Sequence, residues 1–357
     1  MKICFYIGYY PDIVGGAEIQ SKYLAEYLKN NNSIVYISIG HPKNEVVIDN
    51  NIKIYKLKKP IYFDFITIYF FTFLKVKKIL QIENPSILYQ RIFNNYTFYL
   101  SFFLKRKKIK YKLHLADEYS ITFRKNFKSY IRKFIFSRLV KNNCHFITQT
   151  STQSEMLKSL NITNYTQFPN VHPTPNILYT SNKNEIVWIG KLNSHKQVEI
   201  FISMANKLRH YNKYIFTIIT KTYNNNYSKS IIKEISSCKN IKLIPNMSNE
   251  DVNDYINKYA YLLVNTSISE GFSNTFIQAW MRGVPVISLN SDPDNVIEKY
   301  GLGVYCRGNT NLQIKSVSKF IESEDFHLKT KHNCITFSNK YYSLQSRIIE
   351  FETTLNN

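Results

Sequence analysis

A single carboxylate, Glu270, stands where an apolar run ends and a helical pattern begins. Before it, Tyr261-Leu262-Leu263-Val264-Asn265 reads as a buried strand. After it, Phe276, Ile277, Trp280 and Met281 recur at helical spacing, and Ser273, Asn274 or Thr275 can cap that helix. Arg282-Gly283 ends the helix, and Val284 to Leu289 is the next strand. Glu270 therefore lies in a loop at the carboxyl end of a strand, the edge at which open parallel sheets bind ligands. The helix start beside it offers free backbone N–H groups and a positive dipole end, which suits phosphate.

Three other groups fall at corresponding edges. Lys191 and Lys196 flank the loop after the strand Glu185–Gly190, and two cations there can neutralise a diphosphate. Gly15-Gly16 precedes a helix from Ala17 to Asn30 and lets a backbone come close to a ligand. His114, Asp117 and Glu118 end a strand that begins at Lys110. Each has a plainer reading beside the chemical one. Glu270 serves as a surface loop acid, and Thr275-x-x-Gln278 as a capping box. Lys191 and Lys196 serve as solvated lysines, Gly15-Gly16 as a tight turn, and His114 as a structural histidine.

The elements that must position these groups alternate strand and helix along the whole chain. Strands are expected at Lys2–Ile7, Ser33–Ile39, Ile52–Leu57, Ser86–Gln90, Lys110–Leu115 and His145–Thr148, with helices at 62–81, 95–104, 122–141 and 151–160. The run from Phe168 through Asn184, with three prolines and no period, reads as a linker. A second series follows, with strands at 185–190, 214–220, 241–245, 261–265, 284–289 and 303–306. A helical tail is expected over Phe337–Leu355. The expected fold class is α/β, with two doubly wound Rossmann-like domains: residues 1–172, a linker over 173–184, residues 185–335, and a C-terminal helix over 336–357. At 357 residues the chain is too long for one ordinary core.

Charge is uneven. The net charge is +22, and residues 1–172 hold 26 Lys and Arg against 10 Asp and Glu. A basic first half implies an anionic partner. On the helix expected over Thr122–Lys141, Arg and Lys alternate with Phe, Tyr and Ile, a composition that suits an anionic bilayer surface and equally suits a core face under a solvated one. Five scattered cysteines without a C-x-x-C pair read as reduced thiols, and eight histidines show no metal spacing. Asp292-Pro293-Asp294 has metal-motif spacing but reads as a turn. No metal and no cofactor are expected. No signal peptide or spanning helix is visible, so a cytoplasmic protein is expected, peripheral on the inner face of the plasma membrane.

The stretch Glu270 to Ile287 resembles the nucleotide-sugar site of retaining glycosyltransferases of the family 4 type, which have the GT-B fold. Their signature is Glu, seven residues, then Glu, followed by Ala, a Gly and Pro-Val. Glu270 matches the first Glu, and Gln278 stands at the second. Gly15-Gly16-Ala17-Glu18 matches a Gly-Gly-Ala-Glu element of the same family. Gly190-Lys191, with Lys196 five positions on, stands where the family has Gly-Arg and a Lys on the donor diphosphate. The resemblance implies that Glu270 lies near the donor sugar and that Gln278 faces the ribose. It implies that Gly15, Gly16, Gly190, Lys191, Lys196, Gly271, Phe272, Ser273, Asn274 and Thr275 line the donor site. It places either His114 or Asp117 near the transferred sugar. The activity implied is metal-independent retaining transfer from a nucleotide-diphosphate sugar to a glycan, lipid-linked in a bacterial surface polysaccharide. Two other classes stay open: a non-hydrolysing sugar-nucleotide epimerase of the same fold, and a nucleic-acid-binding protein using the basic patches. No known nucleic-acid-binding motif appears, so no nucleic acid partner is expected.

Overall fold

The structure is a computed structural model that describes residues 1–60, 69–104, 108–118, 120–123, 127–179, 183–222 and 225–356. It divides into two compact units, residues 1–171 with 347–357, and residues 172–346.

The first unit begins with β1 (Lys2–Tyr6), α1 (Gly16–Leu28) and β2 (Ser33–His41), then β3 (Glu45–Asp49) and β4 (Ile52–Lys58). It continues as α2 (Phe70–Glu83), β5 (Ile87–Arg91), α3 (Asn95–Phe103), β6 (Lys110–His114), α4 (Phe127–Lys141), β7 (His145–Thr148), α5 (Ser151–Ser159) and β8 (Tyr165–Gln167). The sheet order is β3-β4-β2-β1-β5-β6-β7-β8. All pairs are parallel except β3 with β4. Ile3, Cys4 and Phe5 of β1 have no exposed surface, because helices cover both faces of a parallel sheet.

Two strands of this unit, β8 and β3, are absent from the sequence reading, and β3 takes the outer position. It is an edge strand whose Val46 and Ile48 are exposed, so it shows no buried face to read. The turn into β4 is Asn50-Asn51, both at positive φ, the geometry that asparagine tolerates in tight hairpins. That pair was the available signal. The expected helix over 62–81 is described as α2 from Phe70 to Glu83, and its stretch 61–68 lies outside the described residues. So do Lys105, Arg106, Lys107, Arg124 and Lys125 of the basic clusters.

The second unit runs β9 (Glu185–Lys191), α6 (Val198–Lys207), β10 (Ile215–Lys221), α7 (Asn226–Ser236), β11 (Ile241–Pro245), α8 (Asn249–Tyr259) and β12 (Ala260–Asn265). It then runs α9 (Asn274–Trp280), β13 (Val286–Ser288), α10 (Val296–Tyr300), β14 (Gly303–Tyr305), α11 (Thr310–Glu322) and α12 (Glu324–Tyr341). Its sheet is parallel throughout, in the order β11-β10-β9-β12-β13-β14. The chain leaves β9 toward β10 and β11, then returns to β9's other side with β12. That reversal makes the carboxyl ends of β9 and β12 the switch point where such sheets bind ligands.

The tail is two helices rather than one. α12 stops at Tyr341, and α13 (Leu344–Asn356) follows a break at Tyr342-Ser343. Tyr342 has the bridge-region φ of −130° and ψ of 0°, and its carbonyl accepts from His172 N at 2.8 Å. The end of α13 packs in the first unit. Phe351 is fully buried, with ring contacts to Tyr89 at 5.6 Å and Phe168 at 4.9 Å. Lys112, also buried, donates to the Thr354 carbonyl at 2.9 Å, and desolvation together with Lys110 pulls its pKa down to about 8.

Phe351→Ala removes a ring that two other rings enclose. It should destabilise the first unit by about 3–5 kcal/mol. Urea unfolding followed by hydrogen exchange of β5 and β8 checks this, and wild-type protection in both strands would contradict the packing described.

Candidate active site

At the switch point of the second unit two loops are fastened together. The loop after β9 carries Lys191 to Gln197, and the loop after β12 carries Thr266 to Ser273. Trp188 Nε1 donates to the Thr266 hydroxyl at 2.9 Å, and that hydroxyl donates to the Lys196 carbonyl at 2.7 Å. Ile268 N donates to the His195 carbonyl at 2.8 Å, and His195 Nε2 meets the Ser269 carbonyl at 2.8 Å. Trp188 and Thr266 are buried, so this relay has no competing water.

The fastening brings Lys196 to Glu270. Lys196 Nζ pairs with Glu270 Oε1, with the two side chains 24% and 14% exposed. The same oxygen accepts from Ser267 Oγ at 2.6 Å and from Asn265 Nδ2 at 3.3 Å. Glu270 N donates to Ser291 Oγ at 2.8 Å, which fixes the backbone beneath the carboxylate. All described side-chain partners of Glu270 meet Oε1. Its other oxygen, Oε2, has none among the described residues, and an ionised carboxylate oxygen accepts more than one hydrogen bond. Sequence reasoning did not single out Asn265, Ser267, Ser291 or His195. Asn265 ends β12 and the other three lie in loops, and no periodicity marks them.

The remaining candidates in this unit divide. Lys191 ends β9 and is exposed at the same edge. Gly190 has no room for a side chain, since a Cβ would lie 2.9 Å from the Trp188 ring. Gly271, Ser273, Asn274 and Thr275 are half-buried at the start of α9, where Ser273 is the N-cap and its hydroxyl meets Thr275 Oγ1 at 2.8 Å. Phe272 is different. Its side chain is buried against Trp280 and Tyr342. Gln278 is 3% exposed, and Nε2 donates to Asn249 Oδ1 at 2.8 Å. The expected capping box of Thr275 with Gln278 does not form, because the helix begins two residues too early for it. The Asp292 carboxylate accepts from Ile297 N at 2.8 Å and Glu298 N at 3.2 Å, so it caps α10. No group of three or more His, Cys, Asp or Glu among the described residues could hold a metal ion.

In the first unit Gly15 is the N-cap of α1 in an extended conformation. Its Cβ would fall 2.2 Å from Glu18 Oε2, so the missing side chain leaves room for that carboxylate to fold back. Gly16 is the exposed first residue of the helix. Asp117 is exposed after β6, and its Oδ1 accepts from Ser120 N at 2.8 Å and Ser120 Oγ at 2.9 Å. His114, the alternative to Asp117 for the place beside the transferred sugar, lies in the core. The ring has no exposed surface, and Nδ1 meets the Tyr89 hydroxyl at 2.8 Å and Arg91 Nη1 at 3.4 Å. Burial, and then the Arg91 charge, hold the imidazole well below its ordinary pKa, with the Phe168 backbone opposing in part. His114 shares its strand face with Lys112, and that face is packed beneath α13.

Two parallel-sheet Rossmann-like units are the architecture of the GT-B fold. Residues 175–340, a little under half of the chain, match the family model described as glycosyl transferases group 1. No curated protein matches the chain. Among solved structures, a sucrose-phosphate synthase from Thermosynechococcus elongatus is similar over 99% of this chain and 98% of its own, at 10% identity and a TM-score of 0.81. Anabaena HepE, solved with UDP and glucose, is similar over 100% of both chains at 14% identity and a TM-score of 0.79. The lipopolysaccharide outer core galactosyltransferase WaaB is similar over 100% of this chain and 99% of its own, at 16% identity and a TM-score of 0.68.

Thr266→Val keeps the volume but leaves Trp188 Nε1–H without its acceptor. The cost expected is about 1–3 kcal/mol, with faster amide exchange across both loops. Unchanged exchange at Ile268 and Lys196 would show that the relay does not fasten them.

Proposed function

We propose that the chain is a retaining glycosyltransferase that moves a sugar from a nucleotide-diphosphate sugar to a glycan acceptor. The observation that carries this reading is the Lys196–Glu270 pair at the switch point of a group 1 domain, with Glu270 Oε2 left open. Lys196 and Lys191 hold the diphosphate. As the bond from the anomeric carbon to the phosphate oxygen breaks, the diphosphate leaves with the electron pair and the two ammonium groups balance its growing charge. The attacking hydroxyl oxygen takes over the bond to that carbon and passes its proton to the departing diphosphate oxygen. Glu270 accepts from the sugar hydroxyls and fixes the ring for attack. Gln278, with its amide nitrogen on Asn249, has Oε1 for a ribose hydroxyl. The reading needs no metal, since the lysines supply the positive charge.

Glu270→Ala should lower transfer by about 10²–10³-fold with the circular dichroism spectrum retained, because it removes a positioned polar group from the reacting sugar. Replacing both Lys191 and Lys196 by Ala should weaken binding of a nucleotide diphosphate far more than binding of the nucleoside. Wild-type turnover by folded Glu270→Ala would reject the assignment, as would equal loss for the two ligands. Sugar-nucleotide turnover without any acceptor would indicate an epimerase instead.

The acceptor is proposed to be lipid-borne and reached at an anionic membrane. No helix among the described residues is long and apolar enough to cross a membrane. The outer face of α2, α3 and α4 supports surface docking. Phe70, Phe71 and Leu74, Phe102, and Tyr130, Ile131 and Phe134 are all exposed on it. Phe70 meets Tyr99 at 5.8 Å and Phe102 meets Phe134 at 6.4 Å, so the three helices share one aromatic surface. Lys75, Lys78, Lys133 and Lys141 are exposed on the same helices, and the Arg138 guanidinium lies 3.5 Å from the Phe102 ring centroid. Each basic residue near such a surface contributes about 1 kcal/mol. Co-sedimentation with anionic vesicles should fall as salt rises, with little binding to neutral vesicles. Equal binding to both lipids, or none, would reject docking, and salt-sensitive binding to RNA alone would favour a nucleic-acid partner.

A further inference from the structure

The outer edge of the first sheet at β3 is open. Among the described residues β3 pairs only with β4, in a register that runs from Glu45 opposite Lys56 to Asp49 opposite Ile52. Asn50 and Asn51 both have positive φ, so a two-residue turn closes the hairpin, and Asp49 and Ile52 form its hydrogen-bonded closing pair. Peptide groups alternate in direction along such a strand, so Glu45, Val47 and Asp49 bond inward to β4. The N–H and C=O groups of Val46 and Ile48 therefore point outward. The same two residues are 55% and 76% exposed, and Ile48 is the most exposed of the large apolar residues described.

An edge with open backbone groups and apolar side chains is a template for another strand. The charges along it restrict what that strand can be. Lys43 and Glu45 lie at its start, and Asp49 ends it. When β3 pairs antiparallel with its own copy about a two-fold axis, Val46 and Ile48 of both copies must share one face, which leaves few registers. Centred on Val47, the pair sets Glu45 against Asp49 of the second copy. Centred on Glu45, it sets the two glutamates together. Like charges directly opposite are destabilising. Centred on Ile48, it uses only Val47 to Asp49. Centred on Val46, it sets valine against valine and Lys43 against Asp49 of the second copy, and symmetry repeats that ion pair. Lys43 is 75% exposed, so it can reach across while meeting Glu45 at 3.0 Å. Asp49 Oδ2 accepts from the Tyr9 hydroxyl at 2.6 Å, and Oδ1 has no partner among the described residues.

We propose that β3 is a self-pairing edge. Two copies of the chain join antiparallel through Glu45–Asp49, centred on Val46, and their eight-stranded sheets become one sheet across the axis. Five residues a side make a small contact beside a stable interface, so the association depends on concentration. The pairing does not depend on the glycosyltransferase reading.

The test is sedimentation velocity of the full chain from low micromolar concentration upward. A species of twice the chain mass should grow with concentration. Val46→Lys sets two ammonium groups against each other at the axis and should leave only monomer. Its circular dichroism spectrum should be retained, because Val46 is exposed. Lys43→Glu should weaken association about tenfold, since symmetry doubles both the lost ion pair and the new repulsion. The register is read by oxidation in a Cys238→Ser background, because Cys238 is the one cysteine that is not buried. Val46→Cys should give a disulfide-linked dimer, since residues directly opposite lie within disulfide reach. Ile48→Cys should not, since its counterpart lies about 13 Å away along the strand. A chain that stays monomeric at every concentration overturns the proposal. So does a dimer that Val46→Lys leaves intact, which would place the contact on another face. Equal cross-linking from Ile48→Cys overturns it as well.

Discussion

The contact on which the second unit's functional edge depends is the ion pair between Lys196 and Glu270. It exists because two loops that are distant in sequence are fastened by the relay from Trp188 through Thr266 to the Lys196 carbonyl. Both side chains are only partly exposed, so the pair is screened less than a surface pair would be. Each partner also limits the other. While the lysine serves the carboxylate it is not serving an anion, and a bound diphosphate, carrying more charge, would draw it away. The carboxylate would not then be left bare, because Ser267 and Asn265 still donate to Oε1. The site is built to exchange one partner of a charged group for another at small cost to the loops around it.

The first unit meets the same physical problem with a different solution. Its switch point also carries a cation, Arg91, but there the partners are an amide, a phenol and an imidazole. One sheet edge thus presents a matched pair of charges and the other an unmatched charge. The aromatic and basic face of α2 to α4 belongs to the same unit as Arg91.

Much of the sheet architecture could be read from the chain, and the reasons are physical. β1 and β9 are continuous apolar runs because both faces of a parallel strand are covered. Glu270 stands out because a lone acid follows such a run and precedes a helical period. The failures have equally local causes. β3 exposes its apolar residues at a sheet edge, so its pattern carries no information about burial. The tail breaks at Tyr342-Ser343 without a proline or glycine, through a tertiary bond from His172 that no local signal announces. His114 ends its strand on the face packed under α13, and the direction of a strand's last side chain depends on what covers the sheet. Arg91 was visible at a strand end, but only the structure shows that its partners are uncharged. Gln278 departs from the family signature, and its amide is already engaged by Asn249, a residue 29 positions away.

The central claim is that the edge formed by the β9 and β12 loops holds a nucleotide-diphosphate sugar. The most direct measurement is a crystal structure of the chain with whichever of UDP-, GDP- or ADP-glucose raises its melting temperature most. The account predicts the diphosphate within hydrogen-bond reach of Lys196 and Lys191, and a hydroxyl of the glucose on Glu270 Oε2. It also predicts the Trp188–Thr266 bond intact. A nucleotide bound elsewhere, or a diphosphate at this edge with Lys196 still closed on Glu270, would contradict it.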